Sequence, residues 1–200
     1  MLTFAAAVFL LIITPGPGVL SAAGMGSAYG FLPGLRYLVG LFIGTNLVGF
    51  AVISGLAAII LGIPVVRNIL LAASMGYLLF LAGRIAFAGS QVAFIEAKSP
   101  PGIPSGILLQ IINPKAYAVN TTLFMGFAFY PDNLVVETLS KLVILNVIWI
   151  PIHLIWLYAG VVLHRLNLSA TNQSRINILM ALSMLGVVAL AFMASFGAGQ

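Results

Sequence analysis

Lys115 is the residue of this sequence best placed to do chemistry. It follows Asn113-Pro114, about ten residues into an apolar stretch that opens with Gly106-Ile107-Leu108-Leu109-Gln110-Ile111-Ile112. An ammonium near the bilayer centre costs at least about 2.5–3.5 kcal/mol on insertion scales, so its default reading is functional, as an anion ligand or a counter-charge. The plainer alternative starts the stretch later and lets Lys115 snorkel to the membrane surface. The seven residues before Asn113 favour the deeper placement. His153 is the second titratable candidate. It follows Pro151, and Asn146, Trp149, His153 and Trp156 fall on one helical stripe. That stripe reads as a pocket wall carrying an imidazole, or equally as packing with aromatic anchors at the interface. Asn46, polar within an apolar run, carries the same two readings.

Other chemistries are excluded by what is missing. The three acidic residues, Glu96, Asp132 and Glu137, fall in or beside predicted loops, so no carboxylate pair inside the membrane serves acid–base work, a divalent metal or sodium. Cysteine is absent, and two histidines far apart make a poor metal set. No G-x-x-x-x-G-K loop exists for a nucleotide phosphate. No enzyme activity, cofactor or metal is expected.

These groups need a frame, and Thr14-Pro15-Gly16-Pro17-Gly18 is its most informative part. Apolar stretches flank it, Leu2 to Ile13 and Val19 to Gly24. Proline removes a backbone donor and glycine gives up helical order readily, so a helix here must break in mid-membrane. Broken backbone at that depth survives only buried in protein or lining a polar cavity. The 200 residues are 62% hydrophobic and 6% charged, against about 25% charged in soluble domains, and the mean hydropathy is +1.19. The expected class is an all-α integral membrane protein in a lipid bilayer, forming a single transmembrane domain. Met1 onward is expected to be mature protein, because no cleavable leader stands apart from the first span. The net charge of +5 comes from Lys and Arg spread singly over loops, which is a topology signal and no nucleic-acid patch.

Six spans are expected, roughly over 2–24, 38–61, 68–88, 106–129, 140–163 and 176–196. Ser99-Pro100-Pro101-Gly102-Ile103-Pro104-Ser105 forms a stiff connector near the middle of the chain. Across it, polar and helix-breaking residues recur at an offset of about 100: Thr14-Pro15 with Asn113-Pro114, and Asn46 with Asn146. The run from Asn68 to Met75 likewise resembles that from Asn177 to Met184. Two repeats follow, about 1–98 and 99–200, with spans one and four broken. Three spans each makes them inverted. The first, third and fifth connections carry Arg36, Arg84, Lys98, Arg165 and Arg175, and the second and fourth only Arg67 and Lys141. Both termini are therefore expected outside. Gly30, Gly34, Gly40 and Gly44 have the spacing of close helix contacts, within the chain or in a homodimer.

Taken together, these motifs resemble the lysine exporter and homoserine/threonine exporter (LysE/RhtB) family. The likeness rests on Thr14-Pro15-Gly16-Pro17, the four spaced glycines, Gly76-Tyr77-Leu78 with Gly83, and Asn113-Pro114-Lys115-Ala116. It implies a bacterial inner-membrane exporter of amino acids or close derivatives, driven by protons. One departure stands out: many members carry an acidic residue where this chain has Thr45-Asn46, so coupling here must use another group. The expected substrate site joins Thr14, Pro15, Gly16, Pro17, Asn46, Asn113, Pro114 and Lys115. Broken-helix amides and Lys115 would face the substrate carboxylate. With no acidic partner for a second positive charge, neutral zwitterions are favoured. Lys115 and His153 are the proton-coupling candidates. The rival readings are a structural or regulatory membrane protein and a small-solute channel.

Overall fold

Missing amide donors set the first break. Pro15 and Pro17 cannot continue a helical ladder, so α1 (Leu2–Ile13) ends at Thr14 and α2 (Pro17–Tyr29) starts afresh with Pro17 in its first turn. The two axes bend by 52°. The computed structural model describes residues 1–86, 100–130, 132–166, 169, 171–172, 174–179, 181–183 and 186. Among the described residues every regular element is helical. The expected sixth span over 176–196 lies largely outside them, as do Glu96, Lys98 and part of the run from Asn177 to Met184.

The second span departs from expectation. Gly30, at φ 80°, links α2 directly to α3 (Phe31–Ile53), so this helix starts seven residues before the predicted 38. A positive φ strains any side chain, and glycine allows a one-residue turn where a longer loop was expected. Pro33 is tolerated because it lies in the first turn of α3. Arg36 consequently lies in α3, on an exposed position, and not in a loop. The helix ends at Ser54-Gly55, with Gly55 at φ 76°, and a short α4 (Leu56–Gly62) precedes α5 (Pro64–Ala86). The second break is as narrow as one residue: Asn113 separates α6 (Ile103–Ile112) from α7 (Pro114–Met125). A single helix of 32 residues, α8 (Leu134–Arg165), follows. Among the described residues three helices are long and apolar enough to cross a membrane, and the bent α1–α2 pair makes a fourth.

Glycines let two helix pairs approach to backbone contact. On α2 and α8, Gly26 lies against the backbone of Leu157 and Val161, and Gly160 against that of Ala23 and Ser27. On α3 and α6, Gly40 lies against Ile103, and Gly106 against Tyr37 and Leu41. A Cβ at any of the four would collide with main chain. The spaced glycines of α3 therefore pack within the chain and present no free face to a second copy. Polarity runs inside out: Leu47, Phe50, Val143, Val147 and Ile155 are exposed, while Gln110, Asn113, Asn120 and His153 are buried. That is the distribution expected of a lipid-facing surface around a polar interior.

Asn46 and Asn146 are hydrogen-bonded to each other. Each Nδ2 donates to the other's Oδ1 at 3.0 Å and also to the carbonyl four residues earlier, Phe42 or Leu142. The pair ties α3 to α8. Interhelical polar contacts in membranes contribute about 0.6–2 kcal/mol. Asn46→Leu is expected to destabilise the folded protein by about 1 kcal/mol, because it leaves the Asn146 amide without its partner. Adding Asn146→Leu should recover part of that loss. Thermal melts in detergent check this, and a double variant no more stable than the worse single one would contradict it.

Candidate functional site

The two helix breaks meet. Asn113 caps α7 by accepting from the Lys115 backbone amide at 3.1 Å, and its Nδ2 donates to Gln110 Oε1 at 3.2 Å. Capping turns the Lys115 side chain toward α1, where Nζ donates to the Thr14 carbonyl at 2.6 Å. That carbonyl lies at the C-terminal end of α1, the negative pole of its dipole. Thr14 also closes its own helix end, its hydroxyl donating to Leu10 O at 2.6 Å. Gly16 is the residue the lysine passes over. A Cβ there would stand 2.7 Å from Lys115 Cδ and 2.9 Å from Nζ, so a side chain at this position would displace the lysine from its crossing.

His153 lies on the far wall. Its Nδ1 donates to the Trp149 carbonyl at 3.0 Å, and its ring stacks on Trp149 with centroids 3.6 Å apart and planes 14° apart. With Nδ1 carrying the proton, Nε2 of the neutral ring holds the lone pair. Nε2 faces Gly18, 3.5 Å from where a Cβ would be, and Gln110 Nε2 approaches the same spot at 3.7 Å.

Between these walls lies a cleft of about 480 Å³, counting its open mouth. Of the residues singled out in the sequence, Thr14, Gly16, Asn113, Lys115 and His153 line it together. Pro15, Pro17 and Pro114 shape the breaks without lining it, and Asn46 stands apart in its pair with Asn146. On the stripe of α8, Trp149 joins His153 in the wall, and Trp156 packs against the core. Three polar lining residues escaped the sequence reading: Thr45, Gln110 and Asn120. Their signal was available, since each is a polar side chain inside an apolar stretch. Leu11, Ile12, Val19, Val119 and Leu145 supply apolar wall beside them. Chemically, the cleft offers a cation, neutral hydrogen-bonding groups, one imidazole and aliphatic surface, which suits a small amphoteric molecule with an apolar part.

Comparison with known proteins points the same way. The chain is 28% identical over 130 residues to the leucine efflux protein of Enterobacter sp. (strain 638), covering 62% of each chain. It is 29% identical over 132 residues to that of Klebsiella pneumoniae, covering 63% of this chain and 62% of the relative. With that of Salmonella typhimurium it shares 27% identity over 131 residues, 62% of this chain and 61% of the relative. The matched stretch thus spans less than two thirds of these curated relatives. No family model matches the chain, and no solved structure does. The chain is thus similar to bacterial leucine efflux proteins, and its resemblance to LysE/RhtB-type exporters is borne out.

Proposed function

We propose that this chain is a secondary transporter that exports neutral amino acids across the bacterial inner membrane against a returning flow of protons. The observation that carries the reading is Lys115 Nζ on the Thr14 carbonyl, a membrane-embedded cation held between two helix breaks at the edge of a cleft. A substrate carboxylate would displace that carbonyl and take the ammonium, assisted by the Asn113 amide and the α2 N-terminus. The aliphatic wall suits a side chain such as leucine's, the amino acid named in the relatives. A second positive charge on the substrate would meet no carboxylate among the described lining residues, which favours neutral zwitterions. We assign the chain no catalytic step.

The frame we propose is six spans in two inverted repeats, with Asn46 and Asn146 meeting at equivalent points of the halves. Both termini lie outside in this arrangement. The buried, ion-paired Lys141 drops out of the orientation count, as does Arg36 within α3, leaving Arg67 against Arg84, Lys98, Arg165 and Arg175.

His153 is the proposed proton carrier, through the Nε2 that faces the cleft. Inside-out vesicles holding the protein, given an acidic lumen, should accumulate labelled leucine, and vesicles without it should not. His153→Gln is expected to abolish accumulation driven by the pH gradient while leaving leucine exchange down its own gradient within about threefold. Gradient-driven accumulation that survives His153→Gln removes this residue from coupling. Wild-type vesicles that move no amino acid refute the exporter itself.

A further inference from the structure

One buried acceptor in the cleft is left unused by the arrangement around Lys115. Asn120 lies on α7, five residues after Lys115, and is 2% exposed. Its Nδ2 donates to the Ala116 carbonyl at 2.8 Å, which fixes which way the amide faces. Its Oδ1 is therefore the free end, and it has no hydrogen-bond partner among the described residues. A buried, unsatisfied polar atom is costly, and native structures retain few without a reason. Opposite, α3 makes room for this one. Gly49 carries no side chain, and a Cβ there would come within 3.1 Å of Oδ1. Thr45, one turn earlier on α3, lines the same cleft.

Lys115 in the first turn of α7 and Asn120 in its second both line the cleft, so one wall offers it a cation and a neutral acceptor. Between Lys115 and Asn120 the α7 wall is Ala116 and Val119, with Leu11 and Leu145 also lining the cleft, so nothing charged competes there.

We infer that Asn120 Oδ1 accepts a hydrogen bond from the substrate's ammonium group while Lys115 holds its carboxylate, which makes Asn120 the residue that selects α-amino acids over simple carboxylates. This rests on the exporter reading above. A neutral acceptor fits a cargo that must leave again, since an aspartate here would hold the ammonium as an ion pair. The apolar side chain of the substrate is left to the aliphatic wall.

The test compares leucine with 4-methylpentanoate, which keeps the carboxylate and the branched chain and lacks the amine. Both compete against labelled leucine for uptake into inside-out vesicles containing the full chain. The wild type should prefer leucine at least tenfold. Asn120→Leu should weaken leucine about tenfold, the loss of one hydrogen bond to a charged group, and leave 4-methylpentanoate within twofold. If both compounds weaken together, or leucine holds its affinity, Asn120 does not contact the ammonium. Asn120→Asp guards against a variant that fails to fold. It should raise the preference for leucine, and an unchanged preference overturns the assignment. Wild-type protein that transports leucine without preferring it over 4-methylpentanoate sinks the Asn120 role alone. Wild-type protein that transports neither sinks the exporter reading with it.

Discussion

Lys115→Met is expected to reduce leucine export to the level of vesicles lacking the protein. The side chain bridges two helix breaks, from the α7 N-terminus to the Thr14 carbonyl at 2.6 Å, and among the described residues no other Lys or Arg lines the cleft. On the proposed mechanism it is the full charge that repays a carboxylate for leaving water. A hydrogen bond to a charged group contributes about 1.5–3 kcal/mol, so its loss lowers apparent affinity about tenfold or more. Methionine keeps most of the aliphatic stem over Gly16, so packing survives better than with alanine. Lys115→Arg separates charge from shape. It retains the cation but must seat a planar fork where a Cβ on Gly16 would already stand 2.9 Å from Nζ. Partial export by the arginine variant and none by the methionine variant is the expected order. Export by Lys115→Met within twofold of wild type would remove the lysine from substrate binding.

The breaks were legible because proline and glycine act locally. Pro15, Pro17 and Pro114 interrupt their helices whatever surrounds them, and a lysine directly after one break marks it as polar. What the sequence could not show is that the two breaks touch. That contact depends on Gly16 being open to a side chain 99 positions later, and a lone glycine carries no such address. Asn46 and Asn146 show the same limit. Their equivalence was visible as an offset, and the expectation for Asn46 was a ligand to substrate, yet the two amides satisfy each other. Asn120 is a polar side chain in an apolar stretch like Gln110, and which face of α7 turns toward the cleft is set by packing that the sequence does not carry. The early start of α3 was hidden because Gly30 and Pro33 read as loop residues, although one supplies a tight turn and the other fits a first helical turn.

Charges near helix ends misled in the other direction. Glu137 and Lys141 were placed in or beside a loop, and both are in fact buried within the first two turns of α8. The sequence spacing of four that puts them on one face was there to be read. Their burial was not, because it is created by the chain that returns over them from α7.

Breaking that pair is expected to have the largest effect on stability. Lys141 Nζ meets Glu137 Oε1 at 2.7 Å, Phe124 O at 3.0 Å and Phe127 O. Glu137 Oε2 in turn accepts from the backbone amides of Phe129 and Tyr130 at 2.9 and 2.6 Å. Two side chains thus satisfy one carbonyl in the last turn of α7, one in the turn that follows, and two amides of that same turn. That turn also carries Phe127 and Phe129, whose rings both pack on Phe4 of α1 at 5.6 Å. The ion pair therefore fixes the outer ends of α1 and α7, the two helices whose inner ends form the cleft. Removing one member of such a pair is destabilising because the other charge is left uncompensated. Lys141→Met and Glu137→Gln should each lower the melting temperature in detergent markedly, with the lysine variant worse because it orphans two carbonyls as well as a carboxylate. The double variant should be destabilised by less than the sum of the two, since it strands no charge. Equal and additive single effects would mean the groups act independently, and the strap between α7 and α8 would then be two separate caps.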